Sequence, residues 1–222
     1  MSQYIQNLIE EGEHQQLDFK YQVTDAKKIA RTVSAFANTD GGRLLIGVKD
    51  NGRIAGIRSD EEYYMMELAA EIFCKPKVKF EAKTWNIRGK QVLEIIIQKK
   101  TYSEPITAPD TDGNYKAYVR YVDTNLVADE ILHTVWKRKS RNQGAYIHYS
   151  KAEKKILDAL ESVSGQTLDE LLHYTGLNKK VITDVLINFV LADIIMLQPD
   201  IGGSRFILNE GFDHDEYKDK NV

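Results

Sequence analysis

The run Ala35-Phe36-Ala37-Asn38-Thr39-Asp40-Gly41-Gly42-Arg43-Leu44-Leu45-Ile46-Gly47-Val48 constrains the fold more than any other stretch. It joins a helix end, a glycine pair and a strand with few polar residues, with no room for a loop between them. The helix before it is predicted from a cap at Asp25 to about Asn38, with Ile29, Val33 and Phe36 on its buried stripe. The two glycines permit positive φ where the chain turns. A strand so poor in polar residues belongs in the middle of a sheet, covered on both faces. Asp50-Asn51-Gly52 reads as a hairpin turn, and Arg53 to Ile57 as its return strand.

Around this centre the pattern is mixed. Residues 2–11 predict an amphipathic helix, and Leu17-Asp18-Phe19 a short strand. A helix is expected from Ser59 to Phe73. Lys77 to Ile87 alternates, and after Arg88-Gly89-Lys90 a strand runs from Gln91 to Gln98. Tyr115 to Val122 predicts another strand, and Val127 to Lys139 a last helix. Strand-turn-strand pairs of this kind favour an α+β fold with a mixed sheet over a doubly wound parallel one.

Residues 1–140 are read as one domain and 141–149 as a linker. Residues 150–212 follow as a second, small domain. Ser150 caps a helix, Thr167 and Glu170 form a capping box, and Thr175-Gly176-Leu177-Asn178 turns into a helix from Lys179 to Leu191. Ile194 to Gln198 and Arg205 to Leu208 then flank a glycine-containing hairpin. That order is the order of a winged helix-turn-helix. Residues 213–222 form an acidic tail.

Two stretches exceed what a fold requires: Glu13-His-Gln-Gln-Leu-Asp18-Phe19-Lys20, and Ala35 through Asp50 to Gly56-Ile57. Together they resemble the signature of the Schlafen AlbA-like family, over roughly residues 1–140. Tyr118-Val119-Arg120, Asp123, Asn125 and Trp136 agree with it. In bacteria such domains are often joined to a C-terminal helix-turn-helix and labelled as transcriptional regulators. The resemblance implies nucleic-acid binding. In the vertebrate Schlafens that cleave RNA, the catalytic acids fall by motif position on Glu13, Asp18 and Asp50. Here Asp18 stands where a Glu is usual, and His14 where a Ser is usual. The vertebrate proteins pair two such lobes in one chain, whereas this chain has one, so a homodimer would rebuild that groove.

Three readings of function follow. The first is a DNA- or RNA-binding transcriptional regulator that requires no cofactor. Its contacts would be Lys20, Lys77, Lys79, Lys83, Lys116 and Arg120 in the first domain, Lys137 and Arg138 at a helix end, and Lys179, Lys180 and Arg205 in the second. Tyr118 and Trp85 would add stacking surfaces. Lysines on an edge strand also serve to block aggregation, which is the competing account of Lys77, Lys79 and Lys83. The second reading is a metal-dependent endoribonuclease, in which Glu13, Asp18 and Asp50 hold Mg²⁺ or Mn²⁺. The plain account of the same acids is a turn aspartate and two strand-end residues. The third is a docking or dimerisation module without catalysis.

Charge bears on the choice. The chain carries 30 Lys and Arg against 33 Asp and Glu, which alone speaks against a polyanion partner. The distribution is uneven, with 8 basic against 2 acidic residues from Lys75 to Lys100. No G-x-x-x-x-G-K-[ST] run occurs, which excludes a P-loop ATPase. The single cysteine, Cys74, rules out an intramolecular disulfide. With no bilayer-length apolar run and no signal-peptide pattern, a cytoplasmic protein away from membranes is expected.

Overall fold

The computed structural model describes residues 2–100, 104–148 and 150–212. The expected acidic tail, 213–222, lies outside them. The chain divides into two compact units, with the boundary between Ala128 and Asp129. No described helix is long and apolar enough to cross a membrane.

In the first unit α1 (Ser2–Glu11) is followed by β1 (Leu17–Lys20), α2 (Ala26–Asn38) and β2 (Gly42–Ile46). β1 and β2 are parallel, with Leu17 opposite Arg43 and Lys20 opposite Ile46, so α2 is the crossover of a β-α-β unit. α3 (Glu61–Glu67) continues directly into a π-helical segment, Leu68–Phe73. The hairpin β3 (Phe80–Ile87) and β4 (Lys90–Ile97) completes a four-stranded mixed sheet in the order β1-β2-β4-β3. α1 packs over Leu17, Phe19, Leu45 and Val92 on one face. α2 packs over Leu44, Ile46, Leu93 and Ile95 on the other. A second sheet, β5 (Thr107–Pro109), β6 (Tyr115–Tyr121) and β7 (Thr124–Val127), lies against α2 with β6 at its centre.

The glycine-rich turn is explained by close packing. Gly41 has φ +70°, and a Cβ there would lie 2.8 Å from the Ile97 carbonyl oxygen. A Cβ on Gly42 would lie 2.6 Å from the Phe36 ring. Asn38 then ties the helix end to the second sheet: its Nδ2 donates to the carbonyls of Ile106 (2.8 Å) and Tyr118 (2.9 Å), and its Oδ1 accepts from Ile106 N (2.8 Å).

One expected strand is absent. Arg53 to Ile57 does not pair with β2 as a hairpin, and only an isolated Val48–Ile54 bridge remains. Both edges of β2 are already occupied, by β1 in parallel and β4 antiparallel. The segment folds back instead, with Ala55 N and Gly56 N both donating to Gly47 O.

The second unit holds α4 (Glu130–Ser140), α5 (Lys151–Ser162), β8 (Gln166–Thr167), α6 (Leu168–Thr175), α7 (Lys179–Leu191), β9 (Ile195–Gln198) and β10 (Arg205–Leu208). The strands form a small antiparallel sheet, β8-β10-β9. Capping boxes start α5 at Ser150 and α6 at Thr167, and Gly176 ends α6 in the left-handed region at φ +66°. α4, which the sequence places in the first domain, buries Ile131 and Val135 in the core built by Ile156, Leu160, Leu186 and Phe206. Its apolar stripe decides its membership, and a chain-order reading had no access to that.

Candidate functional site

β1 alternates, so Leu17 and Phe19 enter the core beneath α1 while Asp18 and Lys20 turn the other way. They border a cavity of about 510 Å³ between the start of α2 and the β6–β7 hairpin, lined also by Lys28, Arg31, Arg120 and Asn125. Asp18 is 3% exposed and Arg120 2%. Asp18 Oδ1 accepts from Arg120 Nη2 at 3.1 Å. Its Oδ2 lies 2.7 Å from Lys20 Nζ, a charge contact whose angle is not that of a hydrogen bond. Arg120 Nη1 donates to Asn125 Oδ1 (3.0 Å), Asn125 Nδ2 donates to Thr32 Oγ1 (2.9 Å), and the guanidinium lies 5.2 Å from the centre of the Phe36 ring. The result is a buried polar network joining β1, α2, β6 and β7.

Glu13 adjoins it. Its Oε1 accepts from Phe19 N at 2.7 Å. Burial pushes the Glu13 carboxyl above its ordinary range; the Phe19 bond opposes this, and the neighbouring Asp18 carboxyl adds to it. Asp50 is not brought to the pair. It sits exposed in the turn closed by Gly52 N and Lys49 O. Among the described residues no three His, Cys, Asp or Glu side chains are grouped to hold a metal ion. The three acids therefore do not fit a divalent cation: one is neutralised by two cations, one holds a backbone amide, and one lies apart on a turn.

The expected cations separate into two sets. Lys77, Lys79 and Lys83 are exposed and make no ion pair with a described acid; Lys83 is on the edge strand β3, and Lys77 and Lys79 lie just before it. Lys137, Lys179 and Lys180 are likewise exposed without ion pairs, the last two on the first turn of α7 behind its Asn178 cap. The other set is engaged within the fold. Lys20 faces Asp18, and Lys116 pairs with Asp110 at 3.0 Å, holding that carboxyl below its ordinary range. Arg138 bridges Asn188 Oδ1 and Gly144 O. Arg205 pins the β9–β10 hairpin through Asp200 (2.6 Å) and Gly165 O (2.8 Å).

Two expected surfaces are corrected. Arg120 is expected as a nucleic-acid contact and Tyr118 as a stacking surface. They are buried instead, because β6 lies between β5 and β7 and packs on α2. Trp85 was to stack on a base. Its ring meets Tyr4 at 5.2 Å, and its Nε1 donates to Glu94 Oε2 at 2.9 Å. Glu94 is fully buried, and its Oε1 accepts from the Tyr4 hydroxyl (2.7 Å).

Sequence reasoning did not single out Tyr21, Lys49 and Arg58. They meet in space, with both cations over the Tyr21 ring, yet no spacing in the chain signals it. Only the parallel pairing of β1 and β2 would have suggested that their ends lie together.

The family model for Schlafen, AlbA_2 matches residues 13–129, more than half of the chain. That range takes in both sheets, the Asp18–Arg120 network and the edge-strand lysines. No curated protein matches the sequence. The crystal structure of the DIP2311 protein from Corynebacterium diphtheriae aligns with 87% of this chain and 34% of its own, at 20% identity and a TM-score of 0.44. This chain thus spans about a third of that protein's length. The solution structure of the N-terminal domain of a protein named for its relation to the ATP-dependent DNA helicase RecG, from Nitrosomonas europaea, aligns with 54% of this chain and 89% of its own, at 23% identity and a TM-score of 0.40. By the family match across both of its first-unit sheets, the chain belongs to the Schlafen AlbA_2 family.

Proposed function

We propose that the protein binds nucleic acid and acts as a cytoplasmic transcriptional regulator, with no metal or other cofactor required. The observation that carries this is the contrast among the cations. Lys77 and Lys79, just before the edge strand β3, and Lys83 on it stand exposed with no described acid paired to them, while the fold neutralises Lys20, Lys116 and Arg120. Lysines that only protected an edge would serve as well beside acids, and Glu81 is the one acid among them. The second unit supports the same reading. Its order of α5, β8, α6, α7 and the β9–β10 hairpin matches the order expected of a winged helix-turn-helix, in which Lys179 and Lys180, on the first turn of α7, would meet the major groove. A two-fold homodimer is the assembly such a reader takes on a palindromic site. The ribonuclease reading is not favoured, because Asp50 is apart from Glu13 and Asp18 and Asp18 is bound by Arg120.

The test is fluorescence anisotropy with labelled single-stranded RNA and duplex DNA across a salt series, with and without Mg²⁺ or Mn²⁺. The Lys77→Ala/Lys79→Ala/Lys83→Ala variant should unfold like the wild type and bind more weakly. The slope of log K against log salt should flatten by about 2–3, near 0.7–0.9 per lost phosphate contact. Salt-independent binding, or none, would leave the second unit as a protein-docking module. Metal-dependent cleavage would restore the nuclease.

A further inference from the structure

We propose a second phosphate-binding site, at the carboxyl ends of β1 and β2, built from Lys49 and Arg58 around Tyr21. It uses none of the lysines invoked above and stands or falls separately from them.

The β-α-β connection creates the site. Parallel strands joined by a helix end on the same side, and ligands of open sheets with parallel strands settle outside those carboxyl ends. Here Lys20 O accepts from both Gly47 N (2.8 Å) and Val48 N (3.3 Å), which sets Tyr21 beside Lys49. Gly47 has φ +94°, and a Cβ on it would lie 2.8 Å from Ile57 N. The absence of that Cβ lets the chain after the Asp50 turn fold back against the strand end and deliver Arg58 to the same place. Arg58 Nη2 donates to the Tyr21 hydroxyl at 2.7 Å, and its guanidinium carbon is 5.6 Å from the ring centre. Lys49 Nζ is 5.1 Å from the same centre.

Two cations are thus concentrated on one half-exposed tyrosine, and neither makes an ion pair with a described carboxylate. A bound anion would reach both cations without first displacing an ion pair to a described acid. Glu62, the acid nearest in contact, turns Oε1 to the Arg58 backbone amide and leaves the guanidinium available. Arg58 offers a planar fork and Lys49 a mobile point charge, the pairing that suits a tetrahedral phosphate. Lys28, exposed and without an ion pair to a described acid, borders the adjoining cavity and extends the positive surface. The α2 N-terminus is not the anchor, since Asp25 Oδ1 already accepts from Lys27 N and Lys28 N. The ligand class is a phosphate group, from a polynucleotide backbone or free in solution.

The experiment uses the full chain labelled with ¹⁵N, titrated separately with single-stranded RNA and with inorganic phosphate, beside anisotropy of the Lys49→Gln/Arg58→Gln variant. The expected result is a shift of the Tyr21, Lys49 and Arg58 amides. Binding of RNA by the variant should weaken about tenfold and lose about 1.4 in salt slope, two contacts at 0.7 each. Shifts with RNA alone assign the site to a polynucleotide backbone, and shifts with both probes to any accessible phosphate. Lys49→Arg/Arg58→Lys, which keeps both charges, should retain binding. If RNA shifts only residues near Lys77 to Lys83 and the double variant binds like the wild type, this site is overturned while the edge-strand reading survives. If neither probe shifts any amide, both fail.

Discussion

The Arg120 guanidinium holds the Asp18 carboxylate at 3.1 Å with both side chains almost wholly buried. The contact links the first strand of one sheet to the central strand of the other. A buried ion pair contributes little beyond an apolar pair of equal shape, but removing one partner strands the other charge. Arg120→Met should therefore cost about 3–5 kcal/mol in urea unfolding followed by circular dichroism. Asp18→Asn should also destabilise, since Lys20 and Arg120 then lose their shared counter-charge. A stability loss below about 1 kcal/mol in both would mean the network is not the clamp described. Any loss of activity in Asp18→Asn has to be read against its own unfolding curve.

Asn38 places a donor against two carbonyls and an acceptor against one amide, from Tyr118 in β6 and from Ile106 just before β5. Asn38→Asp keeps the shape and replaces the donor with an anion facing Ile106 O and Tyr118 O. We expect a loss of about 3 kcal/mol, at the upper end for an unsatisfied polar group. Asn38→Ala should lose less, because it leaves no charge behind. Equal losses in the two variants would sink the account.

These two residues also show what a sequence discloses. The stop after Asn38 and the glycine pair were legible, because turn chemistry is local. So were the capping box at Thr167 and the exposure of Lys77, Lys79, Lys83, Lys179 and Lys180, which depends on alternation and helix ends. The burial of Arg120 was not, because its partner Asp18 is 102 positions away and the alternation of β6 is the same whether one face or both are covered. The Arg53–Ile57 strand failed for a related reason: a hairpin signal does not report that both edges of β2 are taken. Lys49 lies in the conspicuous Ala35–Asp50 stretch and Arg58 just beyond it, yet nothing in their spacing pointed to Tyr21, since strand order alone brings the three together.

Tyr4 is the contact that fastens α1 to the sheet through a buried acid. Its hydroxyl donates to Glu94 Oε1, and burial followed by the Glu94 carboxyl raises the phenol above its ordinary range. Arg43 Nε stands 3.4 Å from the same oxygen without hydrogen-bond geometry, so it does not replace the donor. Tyr4→Phe should cost about 1–3 kcal/mol, with faster amide exchange in α1 than in α2. The Trp85 indole, hydrogen-bonded to the other Glu94 oxygen, supplies a fluorescence readout of the same change. Unchanged exchange in α1 would show that its apolar face holds it alone.

Glu13 sets a pH dependence whose direction follows from its surroundings. Burial and the neighbouring Asp18 raise its folded-state pKa above the ordinary 4.5. Below pH 4.5 the carboxyl is protonated in both states, and its favourable contribution is fully present. As pH rises from there through the folded value, the unfolded chain releases the proton first and native stability declines. Above the folded value the ionised Glu13 is a constant burden beside Asp18. Glu13→Gln keeps an oxygen to accept from Phe19 N and removes that burden. Its urea midpoint should match the wild type near pH 4.5 and exceed it increasingly towards neutral pH. Parallel curves across the range would show that Glu13 ionises as freely in the fold as in the unfolded chain, and a midpoint below the wild type at neutral pH would show that its charge contributes to the Asp18, Lys20 and Arg120 cluster instead of opposing it.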